Sequence, residues 1–266
     1  MRRTNRLRLF FFFMLIMVTL LIVISKDVYT QDWRSASRAS VGLAPDPAVT
    51  PEALIQVYGA RAFSWRGYFG IHTWIAVKPT QATTYTVYEV IGWRQRQNQS
   101  VVVTEDRIPD GRWYGNVPEI LAEKRGDGVD ALIARIDAAV RDYPYAREYT
   151  MWPGPNSNTF TAWVSRLLPE LEVDLPPTAI GKDYLGSKLI GLPPSGSGFQ
   201  FSLYGLLGML TSDIEGLEIN LLGLTFGVDP SPFAIKLPML GRVDLVAQNT
   251  HDLEERVIGD SHSQFH

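Results

Sequence analysis

Met151-Trp-Pro-Gly-Pro-Asn-Ser-Asn-Thr-Phe160 is the stretch on which the reading of the fold turns. Two prolines and a glycine impose a rigid loop. Asn156, Ser157 and Asn158 then open a segment in which Phe160, Trp163, Val164 and Leu167 recur at helical spacing, stopped by Pro169. The polar residues therefore sit where a helix begins, among free backbone N–H groups at the positive end of the helix dipole. Asparagine and serine fill that position routinely as caps. The same place can present a nucleophile or hold an anion when a suitable residue faces it.

Four histidines could supply that residue: His72, His251, His262 and His266. Only His72 lies in a segment patterned like a folded core, Gly70-Ile-His-Thr-Trp-Ile-Ala-Val77. Similar runs rich in β-branched and aromatic residues begin at Leu54, Tyr85 and Val101, with turn signals between them. This pattern predicts an antiparallel meander over residues 53–104. A strand histidine is more often a hydrogen-bonded packing residue than a base. A serine hydroxyl, however, needs a base to become a nucleophile, and His72 is the candidate for Ser157. Glu89, on the next strand, is the candidate to orient the base, although glutamate more commonly faces solvent. Asp183 is a weaker orienting candidate. Asn156 and Asn158 with nearby backbone N–H groups would hold an oxyanion, and Trp152 and Tyr145 would flank a substrate.

Elsewhere the chain reads as follows. Residues 116–142 are predicted helical, with a capping box from Asn116 to Glu119, a break at Gly126 to Gly128, and Val129, Leu132, Ile133, Ile136 and Val140 at helical spacing. Residues 199–246 are very apolar with frequent glycine, which predicts strands. That section either covers an open face of the first sheet or shows apolar surface to a bilayer or partner; a core role is the expectation, since large exposed patches are rare on soluble domains.

Composition removes several chemistries. Cysteine is absent, so disulfides, thiolate metal sites and a thiol nucleophile are excluded. With no cysteine and one internal histidine, a zinc site is not expected. No phosphate loop, dinucleotide fingerprint, serine-hydrolase elbow or metalloprotease motif occurs, and no cofactor is expected. Net charge is −3, without a basic stripe interleaved with aromatics, so nucleic acid is not an expected partner.

Residues 9–25 form a nearly unbroken apolar run preceded by Arg2, Arg3, Arg6 and Arg8. At ~1.5 Å per helical residue it nearly spans a hydrocarbon core of ~30 Å. On the positive-inside rule the expectation is an anchor with the first residues in the cytoplasm and the folded part across the inner membrane, in the periplasm; the rival reading is a cleaved signal peptide, for which Ser25-Lys26-Asp27 is a poor cleavage site. The expected organisation is a transmembrane segment over 1–26, a linker over 27–50, an α+β domain over 51–190, a C-terminal β section over 191–247 packed on it, and a polar tail over 248–266.

The order of a strand bearing His72-Thr-Trp-Ile-Ala-Val77, then helices, then Asn156-Ser-Asn-Thr-Phe160 resembles the circularly permuted papain-like fold of the NlpC/P60, lecithin–retinol acyltransferase-like and PPPDE groups. That resemblance implies an antiparallel sheet packed on helices, with His72 on the family's histidine and Ser157 where the family has its cysteine. A second resemblance runs through Arg112-Trp-Tyr-Gly-Asn116, Tyr143-Pro-Tyr145, Trp152-Pro-Gly-Pro-Asn-Ser-Asn-Thr-Phe160, Leu175-Pro-Pro-Thr-Ala-Ile-Gly-Lys-Asp-Tyr184 and Lys236-Leu-Pro238. It is to an uncharacterised bacterial family, domain of unknown function 3750, and implies a proteobacterial envelope protein. With a hydroxyl in place of the thiol, the expectation is a membrane-anchored binding or scaffold protein. The alternative is a serine-dependent hydrolase or acyltransferase acting on an envelope amide, ester or lipid.

Overall fold

The computed structural model describes residues 32–244. The apolar run and the whole polar tail, with His251, His262 and His266, lie outside the described residues. Among those described, no helix is long and apolar enough to cross a membrane.

Five strands form the first sheet: β1 (Leu54–Arg61), β2 (Ile71–Lys78), β3 (Thr86–Val90), β4 (Val102–Asp106) and β5 (Glu119–Arg125). They are antiparallel in the order β4-β3-β2-β1-β5. Their alternating side chains build two apolar layers. On one face Ile55, Val57, Ile75 and Val77 meet two helices, α1 (Val129–Arg141) and α2 (Ser157–Leu167), through Ile136, Phe160 and Val164. On the other, Tyr58, Trp74 and Val87 are packed by Trp113 and Ile120. Full burial of each large side chain contributes about 1.5–3 kcal/mol, so both faces are fixed, and so is the register.

Part of the stretch read as spacer is docked. The buried Asp110 carboxylate accepts from Ser40 Oγ at 2.9 Å and from the Leu43 and Ala44 N–H groups at 2.7 and 3.2 Å. Arg112 N–H donates to the Ala39 carbonyl at 3.0 Å.

A second sheet follows: β6 (Ile190–Gly191), β7 (Phe199–Leu203), β8 (Leu207–Ser212), β9 (Gly216–Leu221), β10 (Leu224–Pro230), β11 (Phe233–Leu237) and β12 (Gly241–Asp244). It is a sequential antiparallel meander. Its polarity is reversed from the expected core. The buried side carries Gln200, Ser202, Glu218, Asn220, Thr225 and Lys236. The outward side carries a cross-strand row of Ile190, Phe201, Met209, Ile219 and Phe226, and a second row of Leu217, Val228, Ile235 and Val243.

The expected α+β, permuted papain-like architecture is therefore corrected, while the transmembrane segment expected ahead of it lies outside the described residues. The described chain is mostly antiparallel sheet, twelve strands with two α-helices. The sharpest local difference is at residues 119–125, predicted helical and found as edge strand β5. Ala, Glu, Lys and Leu are good helix formers, but propensity is a weak prior. Here the open edge of β1 takes the segment, in register from Leu54 opposite Arg125. Asn116 does not cap a helix; its side chain donates to the Arg61 carbonyl at 2.9 Å.

The buried side of the second sheet is held by ions. Lys236 Nζ donates to Glu218 at 3.0 Å and to both Asp174 oxygens at 2.8 Å, and Lys182 donates to the other Glu218 oxygen. Burial acts against the Lys182 ammonium, but Glu218, Asp183 and Asp174 outweigh it and hold it above the ordinary lysine range. Gly227 sits between the strands bearing Glu218 and Lys236 and pairs with both residues. A Cβ there would stand 2.8 Å from the Leu217 carbonyl oxygen and 2.9 Å from Glu218 Cγ. Gly227→Ala is expected to destabilise the fold by about 1–3 kcal/mol, the range for overpacking, read as a lower denaturant midpoint. An unchanged midpoint would mean this pairing is not as described.

Candidate functional site

His72 and Thr73 are neighbours on β2 and so point to opposite sides of the sheet. Thr73 faces α2. Its hydroxyl lies 3.0 Å from Asn158 Oδ1, 2.9 Å from Thr161 Oγ1 and 3.4 Å from the Ser157 carbonyl oxygen. His72 faces away. Its ring stacks on Trp113 with centroids 3.7 Å apart, and its Nε2 is 2.9 Å from Glu89 Oε2. The sheet separates His72 from Ser157, and the structure does not bring these two together. It does bring His72 and Glu89 together, and Glu89 is buried rather than facing solvent.

The start of α2 is a structural knot. Asn156 is the cap: its Oδ1 accepts from the Asn158 and Thr159 N–H groups at 2.9 and 3.1 Å, and Thr159 Oγ1 accepts from the Asn156 N–H at 3.1 Å. Asn156 Nδ2 donates to the Met151 and Ile180 carbonyls. Asn158 Nδ2 donates to Ile71 on β2 at 3.0 Å and to Ile180 at 2.8 Å. The amide groups assigned to an oxyanion site are thus occupied in joining β2, α2 and the 178–182 loop. Trp152 is half exposed and donates its indole N–H to the Leu222 carbonyl at 3.0 Å. Tyr145 packs edge-on against Tyr143 and Tyr184. Asp183 accepts from Gln200 at 3.0 Å and Asn220 at 2.7 Å, inside the second sheet's polar side.

Among the described residues a cleft opens on the His72 side instead. It has a volume of about 620 Å³ and is walled by Trp74, Trp93, Trp113 and Tyr114 together with Arg38, Arg94, Arg107 and Arg112. Glu89 and Glu105 are its only acids. Four arginines against two glutamates leave a surplus of two positive charges, in a chain whose net charge is −3. Arg38 arrives on the docked segment and lies over the Tyr114 ring, 4.4 Å from its centroid. Arg107 Nη2 donates to Glu89 Oε1 at 3.0 Å, so each Glu89 oxygen has its own partner. Burial opposes the Glu89 charge, but the hydrogen bond and charge of His72, then of Arg107, hold its carboxyl below the ordinary 4.5. Among the described residues Arg94 and Arg112 bond only to backbone carbonyls nearby, Ser100 at 2.7 Å and Gly115 at 3.3 Å. The cleft thus offers guanidinium donors beside flat aromatic faces, an arrangement suited to an anion with an apolar or aromatic body.

Residues 52–184 match the model of a family described as a protein of unknown function, DUF3750. The chain belongs to the DUF3750 family. The match takes in the first sheet, both helices and every cleft residue except Arg38, and it ends before the second sheet. No curated protein and no solved structure matches the chain.

The cleft arginines of this DUF3750 chain escaped the sequence reading because they are scattered along it at 38, 94, 107 and 112. A signal was present: Trp93-Arg94 and Arg112-Trp-Tyr114 each set arginine beside aromatics, and only folding gathers them.

Two outcomes follow from these contacts. Asn156→Ala should cost at least about 1 kcal/mol through loss of the cap, and more than Ser157→Ala, in matched chemical denaturation; the reverse order would make Ser157 the more important group. Glu89 has a depressed folded-state pKa, so its contribution is present above the unfolded value of 4.5 and is lost as pH falls below it. Unfolding free energy should therefore fall with acidification below 4.5, and Glu89→Gln should flatten that part of the curve. An unaltered acid limb in the variant would show that Glu89 is not the group responsible.

Proposed function

We propose that this DUF3750 chain is a binding protein, tethered at the inner membrane, whose cleft takes an anionic molecule with an apolar or aromatic body. The observation that carries this reading is the four-arginine, three-tryptophan cleft over the His72–Glu89–Arg107 cluster. Glu89 is neutralised by partners within the protein, which leaves Arg38, Arg94 and Arg112 directed at the cleft without a carboxylate hydrogen bond among the described residues. The support for the tether is the apolar run at residues 9–25 with its arginine flank. Serine-dependent hydrolysis draws less support, because His72 and Ser157 lie on opposite sides of the sheet and the helix-start amides are already bonded.

The test compares 1-naphthyl phosphate with 1-naphthol, which share a body and differ in charge. Saturable quenching of tryptophan fluorescence by the phosphate, and weaker binding of the alcohol, is the expected result. Hydrogen bonds to charged groups are worth about 1.5–3 kcal/mol, so Arg112→Ala should weaken phosphate binding about tenfold or more and leave naphthol binding unchanged. Equal affinity for the two compounds, or equal loss of both in the variant, would contradict an anion site.

A further inference from the structure

The second sheet shows its apolar side to the outside, and its turns are sorted. In a sequential antiparallel meander every second turn returns to the same end. One end therefore carries the β7–β8, β9–β10 and β11–β12 turns, with Tyr204, Leu222, Met239 and Leu240 exposed on them; Leu222 and Leu240 are 67% and 68% exposed. The other end carries Asp213 and Ser231 with Pro232, alongside Leu192 and Phe233, 46% exposed each. A face that is apolar outward and polar inward is the alternation of a lipid-facing sheet. The two most exposed large apolar side chains of the second sheet, Leu222 and Leu240, both stand at the first end and add a direction of entry.

We infer that the apolar face and apolar tips of the second sheet insert into the surface layer of a lipid bilayer. Three observations favour a bilayer over other occupants. The face is wide: seven strands at ~4.8 Å spacing span roughly 29 Å. One helix, about 10 Å across, would cover only a third of it, so the apolar run at residues 9–25 cannot close it alone. A second copy stacked face to face would bury the rows but would leave the tips unexplained. Interface-seeking side chains also stand at the tip end. Trp152 binds the Leu222 carbonyl, Tyr204 is on the first tip, and Arg66 Nε lies 3.0 Å from the Met151 sulfur. Tryptophan and tyrosine settle at the headgroup level, and arginine there meets anionic lipid.

The course of the chain agrees. Gly223 adjoins Trp152 and Ile180, and Thr178, two residues before Ile180, accepts from the Ile71 N–H at 3.0 Å. Ile71 faces Arg61, whose carbonyl accepts from Asn116, and Gly115 N–H donates to Ser37 at 2.9 Å. The first described residues are thus tied to the end of the first sheet on which the tip loop abuts. From Ser25 to Asp32 the chain spans at most ~25 Å, short enough to hold that end close to the plane of a spanning segment. The inference stands on a different face from the cleft and does not depend on what the cleft binds.

The absence of cysteine allows a direct test in the full-length chain. Leu222→Cys, Met209→Cys and Asp213→Cys are each labelled with an environment-sensitive nitrobenzoxadiazole dye and reconstituted in phosphatidylethanolamine–phosphatidylglycerol vesicles. Emission at positions 222 and 209 should shift to the blue and be quenched by lipids spin-labelled on the acyl chain, and emission at 213 should do neither. Adding Leu240→Glu to the chain labelled at 209 should reduce the quenching. Identical behaviour at all three positions overturns the inference. So does a blue shift at 209 without lipid quenching in a chain of dimeric size, which would assign the face to a second copy.

Discussion

Adjacent residues on a β-strand cannot face the same side, and this constraint at His72 and Thr73 organises the protein. Thr73 turns its hydroxyl to the start of α2, and His72 turns its ring to Trp113 and Glu89. Two polar constellations that adjoin in sequence are thereby split by a sheet. One side becomes a hydrogen-bonded joint between β2, α2 and the 178–182 loop. The other becomes the floor of a cleft. A one-residue change of register would exchange the two sides and bury arginine-facing groups against α1 and α2.

The floor is coherent as electrostatics. Glu89 is a buried carboxylate, and a lone buried charge is costly. His72 and Arg107 each take one oxygen, which makes the anion tolerable and positions Arg107 beside the cleft. The second sheet solves a related problem differently. Its buried side holds Lys182, Glu218, Lys236 and Asp174 in one cluster. Removing one member of such a group leaves an uncompensated charge, at about 3–5 kcal/mol. The ions thereby fix which side of the meander turns inward, and the apolar rows are left outside.

Much of the fold was legible and some of it was not, for identifiable reasons. Period-two patterning revealed β1 to β4, and the Asn156 cap with the Phe160, Val164 and Leu167 spacing revealed α2. Strand β5 was hidden because its residues favour a helix in isolation and become a strand only against β1. The outward apolar face of the second sheet departs from the expected core because hydrophobicity alone carries no side; the inward Glu218, Asn220 and Lys236 at alternate positions held that information. The His72–Ser157 pairing failed on the same point. Sequence order placed both at one site, but the parity of position 72 against position 73 decides which faces α2. The cleft was missed because its arginines come from four separate segments.

The most direct measurement of the central claim is a nuclear Overhauser spectrum of the chain isotope-labelled at histidine, tryptophan and serine. Cross-peaks between the His72 imidazole protons and the Trp113 indole, with none between His72 and the Ser157 methylene, are the expected result. A His72–Ser157 cross-peak without one to Trp113 would place both groups on one side of the sheet and contradict the account.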